Sequence, residues 1–209
     1  RRLPVLQAVE QLLHLPESRL TLSDWLGLFE VAAVRARFKL TEADVALLRS
    51  ALEAAVVRWG RDAQQRSTQL GLPADIADLQ QNTWDWGLRR LLLAYASDAD
   101  DPWHDVLPAG ALSGLEAQRL GALAQWLDAI DTWRVALTGP HTPEQWSPLL
   151  MDLLAAFFIA EDEADKRLLG RLEDALSAWV EQCAQAGFVE PLSLTVVREH
   201  LLAQVEDSA

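Results

Sequence analysis

Arg35, Arg37, Arg58, Arg61, Arg89 and Arg90 carry half of the positive charge in the first half of this chain, and tryptophan stands close to several of them in Trp59, Trp84 and Trp86. Guanidinium beside indole can hold phosphate and stack on unpaired bases, and it can equally anchor a protein interface. The formal net charge of −13 weighs against the first use, because duplex binding draws its affinity from cations that release counterions. A solvated or subunit-facing role is therefore favoured for these six, which stand as candidate DNA or subunit contacts. Only Lys39 and Lys166 are lysines, and neither follows a glycine, as a phosphate-binding loop requires. Arg37 and Ala164 stand two residues before them, where a metal-dependent nuclease core needs an acid.

Metal chemistry finds no better footing. None of His14, His104, His141 and His200 lies three residues after a glutamate, as a carboxylate di-iron bundle needs, and no H-E-x-x-H pattern or cysteine pair occurs. The run Asp101-Pro102-Trp103-His104-Asp105 reads as a solvated loop more readily than as a weak chelate. Glu161-Asp162-Glu163 falls at a helix start, where the macrodipole favours anions, and this gives it a structural role. Cys183 has no partner for a disulfide and sits on an apolar stripe, which predicts a buried, inert thiol. No catalytic group, metal or cofactor is expected.

Most of the nine tryptophans fall on leucine stripes. Core packing is expected for Trp59, Trp84, Trp126, Trp133, Trp146 and Trp179, with Trp25, Trp86 and Trp103 left open.

The elements that must position these residues read as helices throughout. Pro4 opens a helix that stops before Pro16; Ser23 is the expected cap of a short helix through Trp25 to Phe29, and Val31 to Phe38 forms another. Thr41 caps a longer helix with Val45, Leu48, Leu52, Ala55 and Val56 on one face. A short helix from about 62 to 69 precedes a loop at Gly71-Leu72-Pro73, and Asn82 or Thr83 caps the next helix. The aspartate- and proline-bearing stretch 97–113 reads as a long loop in which Trp103 and Leu107 could act as anchors. Helices are then expected over 114–137, from a Thr142 cap to Phe158, over 162–186 with Gly187 as terminator, and from Ser193 to about Val205. The fold class is all-α, an irregular multi-helix bundle. It is read as a single helical domain over 1–209, with an alternative division into lobes 1–96 and 114–209. No apolar run reaches spanning length and no signal peptide is recognised, so a cytoplasmic, soluble protein is expected, with no membrane and no small-molecule ligand. The start at Arg1 reads as that of a fragment.

The segment Gln81-Asn82-Thr83-Trp84-Asp85-Trp86-Gly87-Leu88-Arg89-Arg90-Leu91-Leu92-Leu93-Ala94-Tyr95-Ala96 resembles a signature of the RecC family, which runs approximately Q-N/H-T-W-x-x-G-L-x-R-x-L-L-G-Y-A. Arg58-Trp59-Gly60, Leu70 to Pro73, Val106-Leu107-Pro108, Ser113-Gly114-Leu115 and Leu192 to Leu202 follow the family in the same order. Ala94 replaces a family glycine, Asp85-Trp86 replaces a basic-aromatic pair, and Ala109-Gly110-Ala111 is less polar than the family; Asp85 argues against a phosphate contact there. The resemblance implies an internal helical segment like the 2B subdomain of superfamily 1 helicases. It implies a non-catalytic scaffold and DNA-handling role in exodeoxyribonuclease V, with RecB and RecD as partners, in double-strand break repair, where the family splits the duplex and scans for Chi. Trp59, Gly60, Asn82, Thr83, Trp84, Gly87 and Tyr95 are expected to be structural. The alternative is a stand-alone helical interaction module with no DNA role.

Overall fold

The computed structural model describes residues 4–73, 75–96 and 117–207. Among them the chain is all-α, in ten helices: α1 (Pro4–Leu13), α2 (Leu22–Gly27), α3 (Ala32–Phe38), α4 (Glu42–Ala54), α5 (Ala63–Leu70), α6 (Trp84–Ala96), α7 (Ala117–Ala136), α8 (Pro143–Phe157), α9 (Glu163–Gln185) and α10 (Leu194–Asp207). The stretch 97–113, with Trp103, His104 and Leu107, lies outside the described residues. Two compact units interleave along the sequence. One contains residues 1–17, 31–38 and 128–209, and the other 18–30 and 39–127.

In the first unit α8 packs on α9, α9 on α10, and α1 and α3 close against them. The unit is tied by long-range polar contacts as well as by its leucines. Trp146 buries its ring and donates Nε1–H to the Leu192 carbonyl at 2.8 Å, while His141 and Leu192 pair their backbones in an isolated antiparallel bridge. Ile159 N–H reaches Ala33 O, and the Phe38 and Phe157 rings stand 6.1 Å apart. Local rules set the helix ends. Asp162 accepts from Ala164 and Asp165 N–H at 2.8 Å to start α9. Gly187, at φ +65°, ends it with Phe188 N–H on Cys183 O. Pro148 lies inside α8 and is exposed, so the helix loses one backbone donor without burying the vacancy.

The second unit holds an aromatic core. Trp126 stands 6.3 Å from Trp25, 5.1 Å from Phe29 and 5.4 Å from Trp84, ring centre to ring centre. Trp25, left open from the letters, is thus a core residue. Trp59 and Trp133, expected in the core, are only half-buried, and so is Cys183. Cys183 continues the α9 stripe of Leu168, Leu172, Leu176 and Trp179, but that stripe is buried only as far as Trp179, and Cys183 lies beyond it, two residues before the helix ends. The cap of α2 is Thr21 rather than Ser23: its Oγ1 accepts Asp24 N–H at 3.3 Å. Thr41 and Asp44 form a reciprocal capping box on α4. That helix ends in a paired turn, Val56 N–H to Glu53 O and Val57 N–H to Leu52 O, both 3.0 Å. The turn places Val56 at φ +61°, where a glycine is usual and a β-branched residue is strained.

Candidate interaction site

Three non-helical segments of the second unit are laced together by their backbones. Leu22 N–H donates to Arg58 O and Gly60 N–H to Arg19 O, so 18–22 lies along 58–60. Arg58 N–H donates to Asn82 O, Trp84 N–H to Gly60 O and Asp85 N–H to Arg61 O, which joins 58–61 to the start of α6. Such pairing satisfies backbone groups that no helix serves. Asn82 takes φ +63° to permit it, a conformation that Asn tolerates.

Arg66, from α5, fills the centre of this junction and is 6% exposed. Its guanidinium donates to Leu79 O at 3.0 Å, to Gln81 O at 2.6 Å and to Trp59 O, and it lies 4.4 Å from the centre of the Trp59 ring. Burial pulls its pKa below the ordinary value, but three carbonyls and an indole face hold the cation. Gly60 is required beside it. A Cβ there would stand 2.7 Å from Arg66 Nε and 2.8 Å from its Cγ, and the position has φ +79°. Gly87 serves a second close approach, since a Cβ would fall 2.1 Å from Val57 Cγ2.

Thr83, not Asn82, caps α6. It is fully buried, its Oγ1 accepts Trp86 N–H at 3.1 Å, and the same hydroxyl donates to Gln80 O. Trp84 Nε1–H donates to Leu20 O at 2.8 Å. Tyr95, by contrast, is 55% exposed.

The six candidate arginines are not gathered on one surface of one unit. Arg35 and Arg37 lie on α3 in the first unit, where Arg37 Nε–H donates to Ala155 O at 3.3 Å. The other four belong to the second unit. Arg90 donates to Ala55 O at 2.9 Å, while Arg89 and Arg61 stand 3.0 and 3.8 Å from the Asp85 carboxylate. Asp85, which replaces a basic position of the signature, thereby pairs with two of the six candidate cations. Arg58 is exposed, with no ion pair among the described residues. Arg66 and Arg19 were absent from the candidates. Arg66 carries no local signal, because its acceptors lie 7 to 15 residues away along the chain. Arg19 Cζ stands over Trp59 at 6.0 Å.

Residues 2–209 match the family model described as the RecBCD enzyme subunit RecC fourth domain. The chain is 34% identical over 204 residues to the RecBCD enzyme subunit RecC of Escherichia coli K12, covering 97% of this chain and 18% of that protein. The subunit of the same name from Haemophilus influenzae is 29% identical over 199 residues, covering 94% of this chain and 17% of the relative. That from Mycolicibacterium smegmatis is 30% identical over 162 residues, covering 77% and 14%. The chain belongs to the RecC family. It spans less than a fifth of the length of these relatives. The RecC signature has a physical explanation in the second unit: Arg58-Trp59-Gly60 and Gln81 to Trp84 are the two segments that Arg66 holds together, and Gly87 seats α6 against the turn that ends α4. Among the described residues no group of His, Cys, Asp or Glu is placed to hold a metal ion, and no helix is long and apolar enough to cross a membrane.

Proposed function

We propose that this chain is a non-catalytic scaffold segment of the RecC subunit of the RecBCD helicase-nuclease, acting in double-strand break repair by homologous recombination. RecB and RecD are its partners, and DNA is handled only within that assembly. The observation that carries the reading is the match of residues 2–209 to the fourth domain of RecC. The site supports a scaffold role, since the signature residues serve internal packing and Arg61, Arg66, Arg89 and Arg90 have partners within the fold. In this reading the segment occupies the place of the helical 2B subdomain of superfamily 1 helicases and supplies no group to ATP or phosphodiester hydrolysis. The test is co-purification of the full-length subunit with motor subunits of the RecB and RecD type. Stable association, with ATP-dependent degradation of linear DNA by the complex, is expected. A folded subunit that associates with neither motor contradicts the proposal.

A further inference from the structure

Beside the Arg66 junction, among the described residues of the second unit, two cations and three apolar side chains are exposed. Arg19 and Arg58 flank Trp59, are both exposed, and have no carboxylate partner among the described residues, in a chain whose net charge is −13. Leu70, Leu72 and Ile76, at the end of α5 and the turn after it, are 45%, 42% and 39% exposed. Hydrogen bonds from α5 bring the segments that carry the two groups close together. Gln65 and Gln69 of α5 both donate to Ser18 O, at 3.0 and 2.8 Å, which brings Arg19 beside the helix end that carries Leu70 and Leu72. Arg66, on the same helix, binds the carbonyls of both Trp59 and Leu79.

We infer that Arg19, Arg58 and Trp59, with Leu70, Leu72 and Ile76, form a docking surface for a separate partner subunit, and that the docked segment presents apolar side chains next to carboxylates. Charge complementarity selects that occupant. Two unpaired guanidiniums on an acidic chain call for anions, while three aliphatic side chains offer a phosphate backbone nothing. Two cations also neutralise only about two phosphates, too few for strong DNA binding. Arginine and tryptophan beside aliphatic residues are the usual anchors of a protein interface. The inference rests on the proposed place of the chain in a multi-subunit assembly.

The experiment replaces Leu72 by the photocrosslinker p-benzoylphenylalanine in the full-length subunit, assembles it with its partner subunits and maps the crosslinked peptides. A crosslink to a partner peptide holding Asp or Glu within about one helical turn of apolar residues is expected. The double variant Arg19→Glu, Arg58→Glu should weaken assembly at least about tenfold, while Arg167→Glu, in the first unit, leaves it unchanged. Circular dichroism of both variants confirms that the fold is kept. A crosslink within the same chain, a crosslink to DNA, no crosslink, or unchanged affinity in the double variant overturns the inference while the proposed function stands. Failure of the unmodified subunit to assemble overturns both.

Discussion

Arg66 shows how a single buried cation can organise a junction that no hydrophobic stripe defines. Its guanidinium replaces water for the carbonyls of Trp59, Leu79 and Gln81, and its removal takes the partner from a buried oxygen at Leu79 and from two part-buried ones. Arg66→Ala should cost roughly 1.5 to 3 kcal/mol by chemical denaturation, the range for hydrogen bonds made by a charged group. Arg66→Lys should not recover it, because an ammonium has no planar fork to reach three acceptors and cover an indole at once. A loss below about 0.5 kcal/mol, typical of a surface site, would show that the junction closes without it. Val56 makes the opposite prediction. Held at φ +61° by the turn that ends α4, it should be improved by Val56→Gly, with a gain of about 1 kcal/mol in thermal or urea unfolding. Destabilisation by that change would mean that the Val56 side chain contributes more by packing than its backbone costs. Gly87→Ala should destabilise by about 1 to 3 kcal/mol, as an added methyl has to displace Val57.

At the scale of the element, α4 couples a helix cap to acid sensitivity. The Thr41 backbone N–H holds the Asp44 carboxyl down to about 2, with help from the Thr41 hydroxyl and the Arg119 guanidinium. A carboxyl lowered from about 3.9 in the unfolded chain contributes stability that is complete above about pH 4 and is lost as pH falls toward the folded value. The stability difference between the wild type and Asp44→Asn should therefore stay constant down to about pH 4 and shrink between about 4 and 2. A difference that holds unchanged through that window would rule out the capping carboxylate as its source.

Helix starts of this kind were legible in the letters, as Thr41 and Thr142 show, because a cap is a contact between residues two or three apart. Thr21 displaced Ser23 because both hydroxyls precede the same apolar run, and only the geometry at Asp24 separates them. The stripe on α7 was also legible. Leu127 is 2% exposed, and Leu127→Ala should cost roughly 2 to 5 kcal/mol. What the letters withheld were the long-range polar contacts: Arg66 to its carbonyls, Arg61 to Asp85, and Trp84 to Leu20. No spacing rule links residues brought together by the path of three loops. The candidate site was therefore only half legible, with its signature segments readable from sequence and the cations that organise or flank them, Arg66 and Arg19, readable only from structure.

At the scale of the whole molecule, 31 acidic residues face 18 basic ones, and much of the positive charge in the second unit is already engaged. Such a chain approaches DNA against its own field, and without a lysine-arginine stripe it has little local attraction to offset the repulsion. A RecC segment that works as scaffold should then bind DNA weakly on its own. The most direct measurement is fluorescence anisotropy of labelled forked and single-stranded DNA with the 209-residue chain at about 150 mM salt, where charges are screened within about 8 Å. The account predicts a Kd no tighter than about 10 µM, within the non-specific range, and little change in Arg89→Ala, Arg90→Ala. Submicromolar binding that falls steeply with salt and disappears in that double variant would contradict it and make this segment a DNA-binding module in its own right.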